Sequence, residues 1–173
     1  VSDGDAAADI VGGSVEFVMG ANGNRIGLSA ASRLQINAGT LRANNAAGGF
    51  AFIVDTAGGL IMNDSSMAGN PGTTFDLLVE NGSLTSAPPP NLRDVGATII
   101  SLKVTGAAST SGVPADAFQI NAPIGTAGAM VRATSDGGSI YITDLADGLS
   151  VDVINANGGD VSLQSVGEIT DFN

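Results

Sequence analysis

Gly137-Gly138-Ser139-Ile140-Tyr141-Ile142 and Gly158-Gly159-Asp160-Val161-Ser162-Leu163 are two copies of one unit, 21 residues apart: a glycine pair, a small or acidic residue, then an alternating apolar strand. A third copy stands at Gly12-Gly13-Ser14-Val15-Glu16-Phe17. Looser relatives occur at Gly48-Gly49-Phe50-Ala51-Phe52, Gly58-Gly59-Leu60-Ile61-Met62 and Gly82-Ser83-Leu84. Recurrence at about 20 residues marks a solenoid, in which each repeat buries its apolar side only by stacking on its neighbours. With one coil per 21 residues, every strand lies on its equivalent in the coil before, about 4.8 Å away. Ile140 then stacks on Val161 and Ile142 on Leu163 as inward ladders. Tyr141 with Ser162, and Ser139 with Asp160, form outward ladders.

Working outward, short period-2 strands recur along the chain: Ile26 and Leu28; Leu34 and Ile36; Phe75, Leu77 and Val79; Phe118 and Ile120; Leu149, Val151 and Val153. Turn signals separate them, among them Ala21-Asn22-Gly23-Asn24, Asp136-Gly137-Gly138 and Asn155-Ala156-Asn157-Gly158. No amphipathic helix is apparent, since the nearest candidate, Ala6 to Val11, is short and runs into Gly12-Gly13. The middle is different. Residues Ser83 to Ala117 hold Pro88-Pro89-Pro90, the pair Arg93 and Asp94, a strand-like run from Thr98 to Val104, and a small-residue tract from Gly106 to Gly112. Three consecutive prolines donate no ladder hydrogen bonds, so 83–117 is predicted to leave the solenoid as a loop. The expected fold is all-β: a right-handed parallel β-helix (β-solenoid) over residues 1–173, with seven or eight coils of 20–21 residues and an irregular insertion in its middle.

Composition narrows the function. Hydrophobic residues make up 43% of the chain but aromatics only 4%, so the core is aliphatic and layered. Seventeen acids against six bases give a net charge of -11, which argues against nucleic acid as a partner because nothing would neutralise a run of phosphates. With no Cys and no His, thiolate or imidazole zinc sites and Ser-His or Cys-His nucleophiles cannot be built. No apolar run approaches the ~20 residues that span a bilayer, so no membrane insertion is expected. Val1 and Asn173 both fall in mid-pattern, which reads as a piece of a longer polypeptide.

The Gly-Gly-Asp/Ser-Val/Ile-x-Leu/Ile unit, followed by a Gly-Glu-Ile step at Gly167-Glu168-Ile169, resembles the repeats of filamentous-haemagglutinin-like large exoproteins. The resemblance is carried by Gly137 to Asp171, extends over Gly12 to Met62, and fades between Ser83 and Ala117. It implies a secreted bacterial adhesin or surface filament built on a β-helix. The expected role is therefore a structural or adhesive segment, not an enzyme, on the bacterial cell surface or outside the cell. Expected partners are further coils, stacked end to end through open strand edges, and a host-cell or glycan receptor. Two other readings compete. One is a carbohydrate-active β-helix enzyme, a lyase or glycoside hydrolase, using paired acids such as Asp144 and Asp152; it requires a groove with carboxylates plus Arg, Lys or aromatic side chains. The other is a viral or fibre structural protein.

No organic cofactor is expected. Calcium is the ion that fits the chemistry, because oxygen donors in turns are plentiful. The candidate ligands are Asp144, Asp147 and Glu168: a register of 21 sets Asp147 over Glu168 with Asp144 close by, whereas a register of 20 aligns Leu149 with Ile169 instead. The Gly-Gly-x-Gly-x-Asp nonapeptide of calcium-loaded β-rolls is absent. Gly20-Ala21-Asn22-Gly23 and Gly125-Thr126-Ala127-Gly128 read as turns, not phosphate cradles, since neither precedes a Lys-Ser/Thr step or a helix. Met19, Met62, Met67 and Met130 are expected in the core.

Overall fold

The structure is a computed structural model that describes residues 7–20, 24–56, 58–67, 72–88, 93–106, 111–112, 117–121, 129–145 and 148–172. Among these there is no helix. In chain order the strands are β1 (Ile10–Met19), β2 (Asn24–Ile26), β3 (Leu34–Asn45), β4 (Gly49–Asp55), β5 (Leu60–Met62), β6 (Ser65–Ser66), β7 (Thr74–Val79) and β8 (Leu84–Ser86). They continue as β9 (Val95–Gly96), β10 (Ile99–Val104), β11 (Phe118–Asn121), β12 (Met130–Ser135), β13 (Ile140–Asp144), β14 (Gly148–Ala156), β15 (Val161–Ser165) and β16 (Glu168–Asp171). They form a parallel β-solenoid of about six turns. One stack runs β4-β7-β10-β12-β14-β16, another runs β3-β6-β9-β11-β13-β15, and β3-β5-β8 makes a shorter third. The long strand β3 belongs to all of them and ties the stacks together.

Like residues stack on like, because a parallel register repeats the side-chain parity of each strand in the next coil. One inner ladder reads Ile26, Ala51, Phe75, Ile100, Val131, Val151. The next reads Leu34, Ile53, Leu77, Leu102, Ala133, Ile154. Small Ala51 beneath Phe75 shows how volume alternates between coils so that layers fill without a second ring. Each fully buried large side chain contributes about 1.5–3 kcal/mol by leaving water, and the core is one continuous cluster from Val15 to Leu149.

The predicted register holds where it was read: Ile140 pairs with Val161, Tyr141 with Ser162 and Ile142 with Leu163. The glycine pair has a steric reason. A Cβ on Gly159 would stand 2.4 Å from the carbonyl carbon of Gly138, so the second glycine of one coil packs directly on its counterpart in the coil before. A step of 21 is nevertheless local. Phe50 pairs with Thr74, Thr74 with Ile99 and Ile99 with Met130, steps of 24, 25 and 31 residues. Longer corners account for about six turns where a uniform repeat predicts seven or eight. Between β14 and β16 the register is 20, with Leu149 on Ile169.

The irregular middle is distributed over several corners. Within 83–117, β8, β9 and β10 keep their places in the stacks, and the extra chain enters through the step from Ser65 to Val95. Pro89 and Pro90 fall outside the described residues, as does most of the small-residue tract. Three apolar assignments change. Leu28 is exposed because the chain leaves the stack at Gly27, whose φ of +69° turns it outward. Val153 faces solvent because a bulge at Asp152 shifts the register between Val131 and Arg132, putting Ile154 inward instead. Met130 stacks on outward Ile99, whereas Met62 and Met67 are in the core and Met19 packs against it.

Buried polar groups sit at the corners, where the strand ladder breaks and backbone N–H groups would otherwise go unpaired. The Asp55 carboxylate accepts the Ala38 N–H at 3.1 Å, and the Asp94 carboxylate accepts the Gln119 N–H at 2.7 Å and the Ser86 hydroxyl at 2.5 Å. The Ser65, Thr73 and Ser135 hydroxyls accept the N–H groups of Ala43, Thr98 and Gly138 at 2.9, 3.0 and 3.0 Å. On the outer surface, charges alternate from coil to coil. Glu16 pairs with Arg42 at 2.8 Å, Arg42 approaches Asp64 at 3.9 Å, and Asp64 approaches Arg93 at 3.6 Å.

A candidate binding face on the outer side of the β4 stack

The outward side chains of β4 and its neighbours form rows that cross the coils. The central row is Gln35, Val54, Leu78, Lys103, Thr134 and Asn155. Beside it runs Phe52, Asp76, Ser101, Arg132 and Val153, and beyond that Arg25, Phe50, Thr74, Ile99 and Met130. The Phe50 and Phe52 rings are parallel, with centroids 6.4 Å apart and planes within 5°. The Arg25 guanidinium lies 5.0 Å from the Phe50 centroid, a cation–π contact.

Between Gly27 and Arg33 the chain bridges on itself and overhangs this face. The Leu28 N–H donates to the Ser32 carbonyl and the Ser32 N–H to the Ser29 carbonyl, both at 3.0 Å. Arg33 then fastens the loop to the sheet: its guanidinium meets one Asp76 oxygen through Nε at 2.7 Å and Nη2 at 2.6 Å, while Nη1 donates to the Ala30 carbonyl at 2.5 Å. With side-chain exposures of 22% and 11%, this pair is shielded enough to hold its geometry. The loop and the sheet together enclose a depression of about 310 Å³. Its floor is Val54 and Leu78, with Gln35 at the end of the same row; Ala30, Ala31, Ser32 and Arg33 form one wall, and Thr56 and Glu80 the other. That volume is at the lower end of small-ligand sites. The arrangement offers an apolar floor with hydroxyl, amide and carboxylate groups around the rim. Among the described residues, no ion pair neutralises Glu80.

The residues singled out as calcium ligands do not converge here. Asp144 continues the inward parity of Ile140 and Ile142, is fully buried, and accepts the Ser165 hydroxyl at 3.3 Å. Glu168 is exposed on β16 and stacks on Gly148 in the other stack. Asp147 lies outside the described residues. Among those described, no three acidic side chains gather where they would hold a metal ion. Asp144 and Asp152 are not an acid–base pair either, since Asp144 faces the core and Asp152 lies on the outer side of β14, half-buried and ion-paired with Arg132. Tyr141 alternates with buried Ile140 and Ile142, as its parity predicts.

Phe50, Phe52, Arg33 and Glu80 were not among the residues that sequence reasoning selected. The run Phe50 to Val54 is apolar at every position, so it carries no period-2 signal to show which rings point out. By fold, the chain is a parallel β-solenoid with a loop-walled depression on one outer face. Compared with protein-family models, with curated proteins and with solved structures, it matches none.

Proposed function

We propose that this chain is a structural and adhesive segment of an elongated β-solenoid displayed outside a bacterial cell, a stiff rod whose outer faces and loops make the contacts. The observation that carries this reading is the continuous parallel stack of about six turns, in which like residues stack on like from coil to coil. Val161 continues the buried ladder of Ile140 yet is 47% exposed, and Ile169 continues that of Leu149 at 50%. Strands whose inner ladder is uncovered, and whose N–H and C=O groups have a partner on one side alone, accept a further coil in the same register. A net charge of -11 keeps such a rod soluble along its flanks while its ends associate.

The test is sedimentation velocity over a concentration series, with electron microscopy of the same samples. The expected result is elongated particles that lengthen with concentration and give a layer line near ~4.8 Å. Val161→Lys with Ile169→Lys should stop the lengthening and leave the single rod folded. A compact monomer at every concentration would overturn the proposal.

A further inference from the structure

We infer that the depression beneath the 27–33 loop is a subsite for one neutral pyranose unit of a glycan, so that this face, and not the rod's ends, supplies adhesion. This rests on the adhesive reading above and gives it a ligand class and a place. A pyranose ring has an apolar C–H face and a rim of hydroxyl groups that donate and accept. The depression has the matching form: Val54 and Leu78 supply an apolar floor, and Ser32, Gln35, Thr56 and Glu80 stand around it. Its volume of about 310 Å³ holds one ring, not a peptide helix or a nucleotide with its phosphates.

Charge selects among sugars. The one guanidinium at the site, Arg33, is held by Asp76 through two short contacts, so it offers no net positive charge to an acid. Glu80 adds a carboxylate with no cationic partner among the described residues, on a chain carrying -11 overall. A sialic or uronic acid would bring a further negative charge beside it, a repulsion only partly screened at the edge of a protein. A neutral or N-acetylated ring meets no such opposition, and its hydroxyl groups donate to the carboxylate.

The experiment is an amide NMR titration of the intact chain with methyl glycosides of glucose, galactose, N-acetylglucosamine and N-acetylgalactosamine. Methyl glycosides of sialic and glucuronic acid form the anionic set. At least one neutral glycoside should bind with a Kd of about 1–10 mM, the scale of a single small ring. Its shifts should be confined to residues 30–35, 54–56 and 78–80, and the anionic set should bind at least tenfold more weakly. Leu78→Glu, which puts a charge into the floor, should reduce binding more than tenfold. Thr134→Glu, in the same outward row two coils away, should not. Silence from every neutral glycoside, tighter binding of the anionic set, or equal binding by the Leu78 variant would overturn the assignment. Rods that lengthen but ignore sugars would leave the structural reading standing and remove this site; sugar binding by a chain that never stacks would do the reverse.

Discussion

Ser111 occupies an inner ladder that reads Leu60, Leu84, Ser111, Ile140 and Val161, the one polar side chain among four aliphatic ones. Its backbone is fully used, with the N–H donating to the Ser139 carbonyl at 3.0 Å and the carbonyl accepting the Tyr141 N–H at 2.8 Å. Among the described residues its buried hydroxyl has no hydrogen-bond partner. Ser111→Ala is therefore expected to stabilise the chain by about 1 kcal/mol, because it removes a desolvated group without touching the ladder. A rise in the chemical-denaturation midpoint checks this, and a fall would show that the hydroxyl has a role in the corner. The same scale shows what a sequence reveals of parity. Ile140, Ile142 and Asp144 are spaced by two, so the inward direction of Asp144 was legible from its strand; its candidacy as a ligand came from its closeness to Asp147, which a register of 21 sets over Glu168. In this fold several Asp and Ser residues lie buried at corners, where they accept N–H groups that the strands cannot pair.

Among the elements, the loop from Gly27 to Arg33 depends most on one interaction. If the Arg33–Asp76 pair holds the wall of the depression, a double-mutant cycle with Arg33→Met and Asp76→Leu should give a coupling of about 1–3 kcal/mol. The single variants should also raise amide exchange at residues 28–32 without affecting β10 or β12. Coupling below about 0.5 kcal/mol would mean the loop is held by its own backbone bonds. This loop was not readable in advance, since Ile26 and Leu28 alternate as a strand does and nothing but the backbone angle of Gly27 breaks the run. The bulge at Asp152 escaped for a similar reason: Leu149, Val151 and Val153 keep perfect spacing, and only pairing with β12 reveals the extra residue. By contrast β13 and β15 were placed correctly to the residue, because two glycine pairs anchor both ends of the comparison.

For the whole molecule, the solenoid class followed from recurrence and the absence of helical periodicity, while coil number did not, because corners vary in length and carry no pattern of their own. The assembly proposed above makes a prediction at this scale. Asp160, Glu168 and Asp171 are exposed at one end of the described stack, Asp9 and Arg25 lie toward the other, and the chain carries -11 overall, so end-to-end contact brings two strongly acidic bodies together. Raising the salt concentration from about 0.01 to about 1 M shortens the screening length from roughly 30 to roughly 3 Å. Association should then strengthen severalfold, as read from weight-average sedimentation coefficients. Weakening by salt would point to attraction between opposite charges as the driving force in place of apolar ladders.

The alternation Glu16, Arg42, Asp64, Arg93 along the outer surface acts as a parity check on coil order. A coil skipped during folding, or a single coil lost or duplicated in the gene, sets like charge against like, while a change by two coils restores the pattern. Rods that grow or shrink over generations at this edge should therefore do so in pairs of coils.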